Sequence, residues 1–84
     1  MQAAQLDKLY AIISSHSGDR PELVVPEADF QTSLGMDSID NVQMIGDVND
    51  EFDIQLLPED LESVRTVESL TAAVDKALQK QSND

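Results

Sequence analysis

The sequence predicts a small all-α protein, a four-helix bundle of three main helices and one short helix. Three segments place apolar residues three and four positions apart, which is the spacing of one helix face. Residues that cap or interrupt helices stand at the ends of these segments. The one competing strand, residues 23–25, has no second strand with which to pair. Because 84 residues form one domain, we expect a single bundle across residues 1–84.

The first helix is predicted over residues 3–15, where four apolar residues form one stripe. They are Leu6, Leu9, Tyr10 and Ile13. A long loop should follow over residues 17–36, because Gly18, Pro21 and Pro26 interrupt any helix. A few apolar side chains are expected to pin this loop to the core: Leu23, Val24, Val25, Phe30 and Leu34. Loops of this length inside a small domain are uncommon and often functional.

The second helix is predicted over residues 38–52 and has two separate apolar arcs on a helical wheel. Asp37 is a favourable N-cap, and Asp40 resembles the second member of a capping box. One apolar arc should pack into the bundle: Met44, Ile45, Val48 and Phe52. The other contains Ile39, Val42 and Gly46. Beside it runs a polar, mostly acidic arc: Asp40, Gln43, Asp47, Asp50 and Glu51.

An exposed apolar patch with an acidic rim is typical of a docking surface. The alternative is that Ile39 and Val42 pack inward under the long loop. Gly46 weakens the helix at mid-length, unless a backbone or a large group approaches it closely.

The remaining chain predicts one short and one long helix. Pro58 permits a helical turn over residues 59–63. Thr66 can cap a last helix, whose apolar residues share one face. They are Val67, Leu70, Val74, Ala77 and Leu78. The tail from Gln79 onward is polar and expected to fray, so the ordered core should span about residues 3–79.

The composition is strongly acidic, with 17 Asp and Glu against 5 Lys and Arg and a net charge of −12. Twelve acids and no Lys or Arg lie between Arg20 and Arg65. Such a surface repels nucleic acid and anionic membranes, and it attracts basic patches on partner proteins. The alternative is a solvated surface that only confers solubility. Cysteine is absent, and no leader or apolar run of about 18 residues is present, so we expect a cytoplasmic protein without membrane insertion.

Ser38 is the residue with the most informative surroundings. It lies at a helix start, after Gly35 and between Asp37 and Asp40. A hydroxyl there is exposed, fixed in position and surrounded by negative charge. This favours a serine that another enzyme recognises and modifies, and a helix N-terminus also stabilises an attached anion. The alternative is an acidic module that binds a basic partner and is never modified.

Catalysis and metal binding are not expected. The single histidine, His16, is interpreted as a solvated side chain, and no Gly-x-Ser-x-Gly elbow is present, so a serine hydrolase is disfavoured. Asp47, Asn49 and Glu51 imitate the start of a calcium loop. Phe52 stands where that loop needs glycine, and Pro58 occupies its last position, so no dedicated metal site is predicted.

Residues 29–40, with the sequence DFQTSLGMDSID, closely resemble the attachment motif of acyl carrier proteins. The similarity continues through residues 41–44 and 51–54, and it resumes at residues 57–60 and 66–70. It therefore covers nearly the whole chain. The resemblance implies a right-handed four-helix bundle without catalysis of its own. It also implies that a phosphopantetheinyl transferase adds a 4′-phosphopantetheine arm to Ser38, and that the arm holds acyl groups as thioesters.

In that family the second helix is the main recognition helix. By position, the residues expected to dock partners are Asp37, Ile39, Asp40, Val42, Asp47 and Glu51. Those expected to line the interior, where the acyl chain shelters, are Met44, Ile45, Val48 and Phe52. The implied partners are the transferase, and a ketosynthase, an acyltransferase and other acyl-processing enzymes with basic patches.

Three residues depart from the pattern of fatty-acid carriers: Gln43, Gly46 and Asp47. They change the docking helix, so a specialised carrier, for a polyketide or another secondary product, is at least as well supported as a carrier of fatty-acid synthesis. Asp37 before the serine argues against peptidyl carriers, which more often have histidine there. The Met1 start, the polar tail and the lack of flanking linkers favour a free-standing monomer.

Overall fold

The computed structural model describes residues 1–82, and it confirms the predicted all-α fold. This range holds four α-helices and one 3-10 turn, at Pro21–Leu23. The helices are α1 (Ala3–Ser15), α2 (Ser38–Phe52), α3 (Pro58–Leu61) and α4 (Val67–Ser82). No helix in the described part of the chain is both long and apolar enough to cross a membrane.

The boundaries of α1 and α2 agree with the sequence prediction because polar groups close both helices. At the end of α1, the Ser17 hydroxyl donates to the carbonyl of Ile13 at 2.8 Å. At the end of α2, Asp53 adopts a left-handed conformation with φ of 52°, and its N–H donates to the carbonyl of Asn49. The Asn49 side chain in turn accepts the N–H of Leu56 at 3.0 Å, which fixes the path of the chain toward α3.

The last two helices differ from the prediction at their ends. The short helix begins at Pro58 and ends at Leu61, rather than covering residues 59–63. As predicted, Thr66 caps α4, since its hydroxyl accepts the N–H of Ser69 at 3.2 Å. The helix continues to Ser82 and includes residues that were expected to fray. Asn83 and Asp84 of the predicted tail lie outside the described residues.

The core combines one face of each long helix with side chains from the connections. Its helical members are Leu9, Ile13, Met44, Val48, Phe52, Val67, Leu70 and Val74. The connections contribute Val24, Ala28, Phe30, Leu34, Met36 and Leu56. The prediction that Val25 anchors the loop is wrong, because its side chain is exposed. The side chain of Ala28 is buried instead.

The long loop is tied to the start of α4 by backbone hydrogen bonds. The N–H of Phe30 donates to the carbonyl of Arg65, and the N–H of Val67 donates to the carbonyl of Ala28, both at 3.0 Å. Asp29 and Thr66 between them form an isolated antiparallel bridge. Residues 28–30 and 65–67, which show no periodic pattern of apolar residues, are thereby paired. This pairing fixes the long loop against the start of α4.

Asp29 organises the turn that follows this bridge. Its Oδ1 accepts the N–H groups of Gln31 at 2.8 Å and Thr32 at 2.9 Å. The Ser33 hydroxyl oxygen accepts the N–H of Asp29 at 3.0 Å. These bonds from Thr32 and Gln31 hold the pKa of the Asp29 carboxyl below its ordinary value, with a smaller contribution from the charge of Arg65.

The two glycines near and within α2 should respond oppositely to the same substitution. A Cβ at either Gly35 or Gly46 meets no atom within 4 Å, but Gly35 has φ of +66°. We expect Gly46→Ala to raise the free energy of unfolding by about 1 kcal/mol, because mid-helix glycine is unfavourable. Gly35→Ala should lower it by about 1 kcal/mol, because its backbone is left-handed. Urea unfolding measures the change in unfolding free energy for each variant. Changes of the same sign and size would contradict the different backbone conformations assigned to Gly35 and Gly46.

The depressed pKa of Asp29 predicts a specific response to acid. A carboxylate whose pKa is lower in the folded state stabilises the fold above the unfolded pKa of about 4, and this contribution disappears as the pH falls through the folded value. We expect Asp29→Asn to be less stable than wild type at about pH 7, and the difference to shrink below about pH 4. Urea unfolding at both pH values tests this, with Asp50→Asn as a control. A constant difference would refute the assignment.

Candidate attachment site and docking surface

A reciprocal capping box sets the first turn of α2. Asp37 is the N-cap, and its Oδ1 accepts the N–H of Asp40 at 2.8 Å. In return, Oδ2 of Asp40 accepts the N–H of Asp37 at 3.3 Å. The predicted N-cap and capping box are both confirmed. Each carboxylate is directed at the backbone of the turn, so the two acids that flank Ser38 in sequence are engaged with the helix end.

Ser38 is the first residue of α2, and its side chain is exposed. No other group among residues 1–82 forms a hydrogen bond with its hydroxyl. The chain just before it is anchored, because Leu34 and Met36 are buried and the N–H of Met36 donates to the carbonyl of Phe30 at 2.9 Å. The hydroxyl is therefore accessible at a fixed position.

The geometry fits a phosphodiester joined to the Ser38 oxygen. Such a group would extend into solvent at a helix N-terminus, where the dipole and the free N–H groups stabilise negative charge. The carboxylates of Asp37 and Asp40 oppose it electrostatically. One oxygen of each carboxylate already accepts a backbone hydrogen bond within the turn.

The interpretation of His16 as a solvated side chain is wrong. The side chain is only 18% exposed, and its Nε2 lies 2.5 Å from Oδ2 of Asp47 on α2. The residue follows α1 directly, and the packing of α1 on α2 brings it to this acid, which periodicity within α1 could not reveal. His16 hydrogen-bonds Asp47, which lies nine residues after Ser38 in the chain. This contact disfavours His16 as a general base for the Ser38 hydroxyl.

A salt bridge also joins α1 and α2. Nζ of Lys8 on α1 lies 3.2 Å from Oε1 of Glu51 on α2. Asp47 and Glu51 were both predicted as docking residues from their sequence positions. In the structure Glu51 has its partner on α1 and Asp47 has its partner at the C-cap of α1, so both acids lie on the flank of α2 that faces α1.

The opposite flank of α2 carries the second apolar arc. Ile39 is 65% exposed and Val42 is 72% exposed, which rules out the alternative that they pack under the loop. Gln43, Gly46 and Asp50 are exposed as well. Asp50 was placed in the acidic arc but not among the predicted docking residues, and the structure leaves it without a salt bridge among residues 1–82.

An apolar cavity of about 260 Å³ opens between α2 and α3. Its lining residues are Phe30, Asn41, Val42, Met44, Ile45, Leu61 and Val64. Of the four residues predicted for the interior of α2, Met44 and Ile45 line this cavity, whereas Val48 and Phe52 are buried in the bundle core without lining it. The sequence reasoning missed Phe30, Leu61 and Val64, because a helical wheel of α2 contains no information on what packs beside it.

Comparisons with known proteins agree with this geometry. A family model described as "Phosphopantetheine attachment site" matches residues 7–74, which include Ser38. A protein named acyl carrier protein from Chlorobium phaeovibrioides is 39% identical over 74 residues, covering 88% of this chain and 91% of the relative. One of the same name from Chlorobium phaeobacteroides is 38% identical over 81 residues, covering 95% and 100%. In Thermosynechococcus vestitus, another acyl carrier protein is 36% identical over 69 residues, covering 82% and 85%.

The family model covers α2 and α3 in full, most of α1 and the first half of α4, and the relatives align over nearly their whole length. The chain belongs to the acyl carrier protein family.

Proposed function

We propose that this protein carries acyl groups on a 4′-phosphopantetheine arm attached to the Oγ of Ser38, and presents them in turn to enzymes of fatty-acid or polyketide synthesis. Acyl carrier proteins are carriers and not catalysts, so the chain is not an enzyme. The attachment point is supported by the Ser38 hydroxyl, which is exposed on the first turn of α2 and has no hydrogen-bond partner among residues 1–82. When bound, the arm supplies a thiol for thioester formation, which this cysteine-free chain lacks.

The residues before Ser38 keep the attachment point in place. Burial of Leu34 and Met36 on either side of Gly35 anchors the chain immediately upstream. The capping box of Asp37 and Asp40 then holds the first helical turn. A rigid attachment point matters for a carrier, because every partner enzyme must find the arm at the same place relative to α2.

The cavity between α2 and α3 is where we propose that the acyl chain shelters. Its lining is mostly apolar, and Asn41 and Val42 bring it to within one helical turn of Ser38. The volume of about 260 Å³ lies slightly below the range of about 300–1,000 Å³ that is typical of sites for drug-sized ligands. The apolar lining suits an acyl chain, and Val48 and Phe52 are buried in the bundle core without lining the cavity.

Partners would dock on the exposed flank of α2 beside Ser38. Ile39 and Val42 form an apolar centre, and Asp37, Asp40 and Asp50 supply negative charge around it. This surface suits a phosphopantetheinyl transferase, a ketosynthase or an acyltransferase that presents basic residues around an apolar patch. The same proposal places the protein in the cytoplasm as a monomer that meets its partners transiently.

Attachment at Ser38 is tested by incubating the apo protein with coenzyme A and a promiscuous phosphopantetheinyl transferase. We expect the intact mass of the wild type to rise by one phosphopantetheinyl group, because its hydroxyl is accessible and fixed. Ser38→Ala should stay unmodified. Ser63→Ala, which removes another exposed serine hydroxyl, should be modified like wild type. An unmodified wild type would instead favour the acidic interaction module.

Two substitutions at Asp37 separate its capping role from its proposed docking role. Asparagine caps helices about as well as aspartate, so Asp37→Asn should keep the stability of wild type, whereas Asp37→Ala should lose about 1 kcal/mol. Both remove a charge beside Ser38, so both should lower kcat/KM for the transferase at low salt. Urea unfolding and the rate of mass change measure the two effects. A wild-type rate for Asp37→Asn would exclude a role of this charge in docking.

A further inference from the structure

The acids of α2 fall into two classes that the sequence does not distinguish. Asp47 and Glu51 contact His16 and Lys8 at 2.5 Å and 3.2 Å. Asp50, between them in sequence, is exposed and forms no salt bridge within residues 1–82. Both pairs lie on the flank toward α1, where Lys8 counters the charge of Glu51 and the His16 ring engages the Asp47 carboxylate from within the chain.

A contact at this distance weakens the attraction of an acid for any outside cation. The field of a closely paired charge falls off faster than that of a single charge, and salt screens what remains within about 10 Å at 0.1 M. Exposed salt bridges contribute little to stability, typically below about 1 kcal/mol. The main effect of these two contacts is therefore to reduce the negative charge that a basic partner meets on this flank of α2.

We propose that Lys8 and His16 compete with the cations of partner enzymes for the acids of α2. They hold Glu51 and Asp47 toward α1, which confines docking of a basic surface to the flank with Ile39, Val42 and Asp50. This proposal rests on the proposed function, since it concerns docking beside Ser38. It makes Lys8 and His16 determinants of partner specificity, although both come from α1 and its C-terminal end.

The two pairs differ in how readily a partner can replace them. The Lys8 side chain is 64% exposed, so an arginine or lysine of a partner can displace it from Glu51. The His16 ring is mostly covered and moves aside less readily, although the Asp47 carboxylate itself is 58% exposed. We therefore expect the larger effect on docking from the pair of Lys8 and Glu51.

The test compares Lys8→Gln with Lys80→Gln, which removes the same charge from an exposed position in the last turn of α4. The readout is kcat/KM for modification of Ser38 by a transferase with a basic docking surface, at low salt and saturating coenzyme A. Lys8→Gln should be about twofold faster than Lys80→Gln, the effect of one unit charge across about 10 Å of water. At about 1 M salt the difference should vanish.

A double-mutant cycle identifies Glu51 as the acid that is released. Adding Glu51→Gln to Lys8→Gln should return the rate to about that of wild type, whereas Glu51→Gln alone leaves the Lys8 charge unpaired and should slow modification about twofold at low salt. Equal rates for Lys8→Gln and Lys80→Gln, or a double variant that remains faster than wild type, would overturn the competition. Failure of the wild type to be modified at all would overturn the proposed function instead, so the two failures are distinguishable.

Discussion

The position of Ser38 depends on the pairing of the long loop with the start of α4. Phe30 and Ala28 exchange backbone hydrogen bonds with Arg65 and Val67, which closes two otherwise irregular segments on each other. A loop of this length carries a large conformational entropy when free. The pairing and the burial of Phe30 offset that entropy. Because α2 begins directly after this loop, its first residue is fixed by contacts made far away in sequence.

The second helix has apolar residues on its buried face and also on its exposed face. Met44 and Val48 are buried in the core, while Ile39 and Val42 are left in solvent. Leaving Val42 exposed forgoes the free energy that burial of such a side chain would contribute, about 1.5 kcal/mol or more. Gly46 adds a further cost, since no atom lies within 4 Å of the place where its Cβ would stand. A helix selected for stability alone would have neither feature, so both are consistent with a surface kept for contact.

The sequence predicted those parts of the fold that depend on local physical chemistry. The bounds of α1 and α2 followed from apolar periodicity and from the cap at Asp37, because both act within a few residues. The pairing of the loop with α4, the contact of His16 with Asp47 and the contribution of Phe30 to the cavity could not be predicted in this way. Each depends on how elements distant in sequence pack, and such contacts leave no periodic signal in one chain.

The salt bridge between α1 and α2 shows why the net charge of −12 does not describe the surface that a partner contacts. Net charge describes the field at a distance, where screening by salt already removes most of the effect. At contact distance only the local arrangement matters, and within the described residues 1–82 Glu51 forms a salt bridge whereas Asp50 does not. Asp47, which was expected to be a docking residue, lies against His16. It therefore has a partner within the chain, and the flank that we propose for docking is narrower and more apolar than the acidic composition implies.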